Sequence, residues 1–387
     1  MKIFYFSNHI GDIDFSLLVK NVKRKPNPAG QNFHGRLIAS LALNHEVTCF
    51  SLVPSAEEGF KRKPGIKGDG IPHYYFYPPK RPILPNAFTI PNKIVRTFQN
   101  KFPSLKGEEF IVFYDTLNIA LARSAKIIAK KYGAKKIAVC TDDPYNISEV
   151  GETYISSVLH YSKDADGYFC LTKGLDQLFN TKGKPTRIHL GIAEEISNLP
   201  EINVDKPYIY YGGALFYKDG TPALVNAFLE AKPNCKLVIS GHGPEAHNVK
   251  IVAEENEDVI FLGQISKEEN IAYEKNALLC INPRLYRGYL DKVSVPSKVI
   301  EFLTYCDHVA STLSTPIKEK YGDSIMWIPS DPPRAKEDLI DFFKSHMDEQ
   351  GNLVNLTKNP YKEKVLEDIG IKATGDVLSS LIEEITK

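Results

Sequence analysis

Short apolar runs alternate with stretches in which apolar residues recur every three or four positions, and the alternation persists along most of the chain. Runs of the first kind suit strands buried on both faces, and the second kind suits the helices that cover them, so the pattern predicts parallel sheets with helical crossovers. A first strand is expected at 2–6. Phe33, Leu37, Ile38 and Leu41 then mark a helix, and 45–50 resumes a strand. Further strands are predicted at 110–114, 136–141 and 167–171, with a lysine-rich helix over 117–131. Pro78, Pro79, Pro82, Pro85 and Pro91 crowd one stretch and predict a surface excursion over 78–91 without regular structure.

Around 200–207 the chain turns polar and proline-bounded, and a second series begins at 208–211. It continues through a helix near 221–231, strands at 236–240 and 259–262, a helix near 267–275 and a strand at 277–282. A turn-rich stretch over 349–375 precedes Val377, Leu378, Leu381, Ile382 and Ile385, whose spacing marks an amphipathic C-terminal helix. A chain of 387 residues exceeds one ordinary core. The expected fold class is therefore α/β, with two Rossmann-like, doubly wound parallel-sheet domains at 1–203 and 204–370 and a closing helix at 371–387.

Composition narrows the class. With 43% hydrophobic and 25% charged residues the chain reads as globular rather than disordered. No run approaches the roughly 20 apolar residues of a membrane helix, and the N-terminus turns polar too early for a secretory signal, so a cytoplasmic location is expected. The six cysteines are scattered through apolar runs and read as buried thiols. Net charge is +1 but uneven: residues 1–100 hold 14 Lys and Arg against 6 Asp and Glu, leaving 34 against 41 for the remainder. The basic first quarter, with Lys23-Arg24-Lys25 and Lys61-Arg62-Lys63, is either an ordinary solvated face or a surface for something anionic, a membrane before nucleic acid.

In doubly wound sheets ligands sit beyond the carboxyl ends of the strands. Tyr211-Gly212-Gly213 and Ser240-Gly241-His242-Gly243 follow two predicted strands, and neither reads as a dinucleotide fingerprint or a P-loop. The most informative segment runs from Asn282 through Arg284 and Asp291 to Pro296-Ser297-Lys298-Val299-Ile300-Glu301. Pro296 suits the first turn of a helix, and Val299, Ile300, Phe302 and Leu303 bury its back. The N–H groups of Ser297 and Lys298, the helix dipole and the Lys298 ammonium together make an anion site that fits a diphosphate. Glu301 falls on the same helical face, placed to accept hydrogen bonds from a ribose diol.

Four segments, in order, resemble GT-B glycosyltransferases of the retaining family 4 type, bacterial capsular and exopolysaccharide enzymes especially. They are Ala29-Gly30-Gln31-Asn32, Tyr211-Gly212-Gly213 with Lys218-Asp219-Gly220, Gly241-His242-Gly243, and Pro296-Ser297-Lys298 with Glu301. The resemblance implies two domains facing a cleft, the C-terminal helix returning to the N-terminal domain, and retaining, metal-free transfer without a cofactor. The sugar would pass from a nucleotide sugar, a UDP-sugar foremost, to a glycan or lipid-linked saccharide acceptor, with peripheral membrane contact. By that resemblance Lys218 and Lys298 neutralise the leaving diphosphate, Glu301 holds the ribose, Gly263 and Gln264 face the base, and backbone at Gly30 nears the phosphates. Gly213, Gly241, Gly243, Arg284, Asp291, Ser297, Gln31 and Asn32 complete the expected binding set. Two positions depart from the family: Ala214 stands where an Arg is common, and Val293, with Asp291 nearest, stands where a second glutamate is common. They favour an alternative, a non-catalytic sugar-nucleotide-binding or assembly subunit.

Three further motifs have two readings each. Asp143, after the strand at 136–141, either touches donor sugar or acceptor, as in the family, or caps a turn. Asp164-Ala165-Asp166 matches the metal-binding triplet of another glycosyltransferase class, yet it merely precedes a strand and is read as structural. His189 and Gly191 mark either a hinge or a plain strand-end turn.

Overall fold

The structure, a computed structural model, describes residues 1–12, 14–15, 28–53, 65–66, 70–78, 86–147, 150–285, 288–329 and 332–387. Both basic clusters, Lys23-Arg24-Lys25 and Lys61-Arg62-Lys63, together with Pro79, Pro82 and Pro85, lie outside them. The chain forms two compact units: unit 1 comprises Met1–Ile192 with Ile369–Lys387, and unit 2 comprises Ala193–Asp368.

Unit 1 is built on an eight-stranded sheet. Its strands are β1 (Lys2–Ser7), β2 (Glu46–Leu52), β3 (Gly65–Ile66), β4 (Pro72–Phe76), β5 (Phe110–Asp115), β6 (Lys135–Cys140), β7 (Gly167–Cys170) and β8 (Thr186–Ile188). The order is β3-β4-β2-β1-β5-β6-β7-β8, parallel except for the short antiparallel β3. The connecting helices are α1 (Pro28–Ala42), α2 (Asn86–Lys101), α3 (Ile119–Tyr132), α4 (Glu152–Ser162) and α5 (Lys173–Phe179). From β1 the chain winds outward through β2 and β4, then returns to β5 on the other side of β1, which makes β1/β5 the switch point of this sheet.

Burial on both faces explains the unbroken apolar strands. Ile3 and Tyr5 of β1 join Leu37, Ile38 and Leu41 of α1 in one cluster, while Phe4 packs edge-on against Phe98, Phe102 and Phe110 at 4.7, 4.9 and 5.3 Å between ring centres. Leu378, Leu381, Ile382 and Ile385 also belong to the first cluster.

Two readings of irregular chain need correcting. Residues 86–91 are not an excursion but the start of α2, with Pro91 inside the helix. Ile90, Ile94 and Phe98, spaced four apart and fully buried, anchor that helix, and burying three large side chains outweighs the one hydrogen bond Pro91 removes. Likewise most of 362–375, expected as turns, is helical.

Unit 2 carries a six-stranded, wholly parallel sheet in the order β11-β10-β9-β12-β13-β14. The strands are β9 (Tyr208–Ala214), β10 (Lys236–His242), β11 (Val259–Gly263), β12 (Leu279–Asn282), β13 (Val309–Thr312) and β14 (Ile325–Ile328). Its helices are α6 (Thr221–Ala231), α7 (Ala246–Glu255), α8 (Lys267–Asn276), α9 (Leu290–Val293), α10 (Ser297–Tyr305), α11 (Thr315–Tyr321), α12 (Ala335–Ser345) and α13 (Lys362–Ile369). Ile209, Tyr211, Leu237, Ile239, Leu279 and Ile281 turn one sheet face onto α6 and α12. The winding reverses between β9 and β12, so the second switch point falls where the glycine-rich strand ends. The final helix, α14 (Ile371–Thr386), counts with unit 1. Among the described residues no helix is long and apolar enough to cross a membrane. Each unit is thus a Rossmann-like, doubly wound α/β domain.

Candidate functional site

The carboxyl ends of β9 and β10 are locked together by glycine. Gly241 has φ +133°, and a Cβ built on it would lie 1.7 Å from the Gly213 carbonyl oxygen. Gly243, φ +157°, would meet the Leu215 carbonyl at 2.3 Å. No side chain fits either place, so both turns hold backbone against backbone. Leu215 N–H donates to His242 O at 2.9 Å and Glu245 N–H to Leu215 O at 3.0 Å, extending the pairing beyond the strands. Gly220, φ +78°, sits under the Pro283 carbonyl at 1.9 Å from a built Cβ and ties the turn after β9 to the end of β12.

Over this floor stands the start of α10. Pro296 is its cap and Ser297 its first residue, one position later than the sequence suggested. Val299, Ile300, Phe302 and Leu303 are buried as the apolar spacing required. Lys298, on the first turn, lays its chain over β9: the Lys298 Cε is 3.3 Å from where a Gly213 Cβ would stand. Its ammonium lies 3.8 Å from Glu301 Oε2, with the lysine side chain 30% and the glutamate 14% exposed. Lys298, Glu301 and Gly213 are thus brought together at the switch point.

The rest of the expected set divides. Lys218 is exposed in a 3-10 turn, its ammonium 5.5 Å from the centre of the Phe216 ring, and its carbonyl accepts Leu285 N–H at 3.2 Å. Arg284 donates to Ser294 Oγ at 3.3 Å. Asp291 is buried in α9, as is Val293. Gly263 closes β11 with φ +66°, no described residue lies within 4 Å of a Cβ built on it, and Gln264 follows, exposed.

In unit 1, Gly30, Gln31 and Asn32 lie in the first turn of α1. Among the described residues nothing lies within 4 Å of a Cβ built on Gly30, and Asn32 is half-buried. Gln31 has a structural duty: its Oε1 accepts Ile10 N–H at 3.0 Å while its Nε2 donates to Ile10 O at 2.5 Å, pinning the chain that leaves β1. Asp143 is buried and accepts Tyr145 N–H at 2.8 Å, capping the turn after β6. Asp164 meets Lys182 at 2.9 Å and Lys126 at 3.2 Å, which hold its carboxyl down at about 2, and Asp166 accepts Lys136 N–H at 2.9 Å. Among the described residues no group of three or more His, Cys, Asp or Glu is arranged to hold a metal ion. His189 Nε2 lies 2.8 Å from Thr374 Oγ1 and its N–H donates to Cys170 O at 2.8 Å, within unit 1. At the unit 1 switch point burial raises Asp115 to about 6 and lowers His34 to about 4, which keeps the two from being charged together although His34 Nε2 is 3.8 Å from Asp115 Oδ2.

Sequence reasoning missed a polar network beneath the unit 2 site. Tyr210 OH lies 2.6 Å from Ser240 Oγ and donates to Asn270 Oδ1 at 2.8 Å, and Asn270 Nδ2 donates to Glu274 Oε1 at 2.5 Å. Gly212 leaves room for it: a Cβ there would lie 2.5 Å from Asn270 Oδ1. Glu274 is fully buried. Burial drives its carboxyl well above the ordinary range, Glu301 adds to the rise, and Lys298 opposes it. In the sequence Glu274 sits between Tyr273 and Lys275 and reads as solvated. The available signal was its spacing of four from Asn270 and three from Ile271, both inward.

Comparison with known proteins fits this geometry. Residues 193–322, within unit 2, match the family model of glycosyl transferases group 1. No curated protein matches the sequence. Among solved structures, the chain resembles a sucrose-phosphate synthase from Thermosynechococcus elongatus (14% identity, 100% of this chain and 99% of that one, TM-score 0.71). It also resembles Anabaena HepE in complex with UDP-glucose (13% identity, 99% of each chain, TM-score 0.65). A third is the lipopolysaccharide outer core galactosyltransferase WaaB (14% identity, 99% of each chain, TM-score 0.58). These likenesses establish the fold, and the group 1 match adds support for a GT-B glycosyltransferase.

Proposed function

We propose that the protein moves a sugar from a nucleotide diphosphate sugar, a UDP-sugar foremost, to a saccharide acceptor with retention at the anomeric carbon and without a metal. The observation that carries this reading is Lys298 on the first turn of α10, laid across Gly213 and paired with Glu301 at the sheet's switch point. Breaking the bond between sugar and diphosphate builds negative charge on the leaving oxygen. A fixed ammonium and the N–H groups of a helix start stabilise that charge more than the ground state. Glu301 accepts from the ribose hydroxyls, and Lys218 reaches the diphosphate from the turn after β9. The UDP and UDP-glucose complexes of HepE support the choice of uridine.

Titration calorimetry with UDP tests the site. Wild type binds, and Lys298→Ala weakens binding by about 1.5–3 kcal/mol, roughly 10- to 150-fold, the worth of one charged hydrogen bond. No binding by wild type, or equal binding by the variant, removes the reading. A panel of UDP-, GDP- and TDP-sugars with acceptors, run in excess EDTA, then separates enzyme from binding subunit. Ala214 and buried Val293, where the family commonly has Arg and Glu, favour the second. A lipid-linked acceptor would bring the basic first quarter of the chain to an anionic surface, which salt-dependent liposome sedimentation detects.

A further inference from the structure

Glu274 has no exposed surface. Its Oε1 accepts the Asn270 amide, and its Oε2 has no hydrogen-bond partner among the described residues. A carboxyl half-satisfied in a buried interior is costly, and native proteins tend to keep such groups where they act. Packing asks for no acid there, since a glutamine would serve Asn270 equally well. Its surroundings are those of the site. The network it ends lies under Gly212, Lys298 lies over Gly213, and Glu301 pairs with that lysine. The other titratable groups facing it are Cys280 of β12, Cys306 at the end of α10 and Tyr210 of β9.

We propose that Glu274 takes up a proton when a nucleotide sugar binds, which makes donor affinity depend on pH through a residue that never touches the donor. The inference rests on the nucleotide-sugar reading above. Without donor, the Lys298 ammonium pairs with Glu301 and favours the charged form of Glu274 against the burial that opposes it. A bound diphosphate engages that ammonium and cancels its field at both carboxylates. The buried one is the harder to keep charged. One proton passes from solvent to Glu274 Oε2, and no other bond forms or breaks. Glu274 is a positioning residue: as a neutral acid it lets Lys298 serve the diphosphate alone.

Calorimetry with UDP-glucose, whose diphosphate has no titrating group near neutrality, reads this directly when repeated in buffers of different ionisation enthalpy. Across the pH range in which the protein stays folded, wild type should take up a fraction of a proton per donor, peaking at one pH above the ordinary carboxylate range and falling on either side. Glu274→Gln should bind with no uptake at that pH. Uptake that persists in the variant, or binding by wild type without uptake anywhere in the range, overturns the proposal. Uptake lost in His242→Asn but kept in Glu274→Gln assigns it to the exposed histidine that ends β10 and also overturns it. If Glu274→Gln does not fold, the wild-type difference infrared spectrum decides: binding must add a protonated-carboxyl C=O band, and its absence overturns the proposal. Failure of wild type to bind any nucleotide sugar removes the donor reading itself, a result distinct from binding without uptake.

Discussion

Gly213 and Gly241 are paired neighbours on β9 and β10, yet alanine should act on them in opposite ways. At Gly241 the added methyl would stand 1.7 Å from the Gly213 carbonyl on a backbone at φ +133°. Either strand end must withdraw by more than an ångström, breaking the pairing beyond it. The unfavourable backbone region costs about 1–3 kcal/mol, and overpacking adds about 1–3 kcal/mol. A loss of about 4 kcal/mol in a unit of this size lowers its melting temperature by about 8–16 °C. At Gly213 the nearest atom to the methyl is the Lys298 Cε at 3.3 Å, the flexible part of a lysine, and the Tyr211 hydroxyl at 3.6 Å is an ordinary van der Waals contact. Stability should change by less than about 1 kcal/mol, while UDP affinity falls about fivefold as the ammonium shifts, roughly 1 kcal/mol. Differential scanning calorimetry and UDP titration on both variants separate the two effects. A Gly241→Ala protein melting within about 2 °C of wild type, or a Gly213→Ala protein that loses stability but not affinity, would refute the account of this floor.

Other expectations follow from unit 1. Folding raises Asp115 from 3.8 to about 6, so the folded state binds more protons, and stability falls as pH rises through that interval. Asp115→Asn, which still accepts Leu117 N–H, should therefore be more stable than wild type at pH 8 by up to about 3 kcal/mol, the gap closing toward pH 4 in denaturant titrations. Leu381→Ala, in the core cluster of α14, should cost about 2–5 kcal/mol by the same method. Asp164→Ala should change stability by less than about 1 kcal/mol, since its lysine pairs are largely solvated, and should leave sugar-nucleotide turnover unchanged.

The alternation of apolar runs placed β1, β2, β5, β6 and β7 within a residue or two, and in unit 2 it placed β10, β11, α6, α8 and the start of β9 equally well, because buried parallel strands leave little ambiguity. It missed α2, where five prolines in the region hid the Ile90, Ile94 and Phe98 stripe, and α13, whose first turns are charged. Lys298 and Glu301 were legible because a helix start has a sequence signature and local spacing fixes their pairing. Gln31 was not, since its amide answers to Ile10, a partner 21 positions away that no periodicity announces. Glu274 was hidden for a similar reason: what buries it arrives from β9, β10 and α10, distant in the chain.

Because unit 1 comprises both Met1–Ile192 and Ile369–Lys387, the order of synthesis and the order of folding part company. As the chain leaves the ribosome, unit 2 is the first to have all its residues available, although it starts second. Unit 1 must wait, its β1 and α1 surface lacking the four side chains that α14 supplies, until translation has passed the whole of its neighbour. In that interval the nascent N-terminal half exposes an apolar stripe of known composition, the place where a chaperone should be found during synthesis.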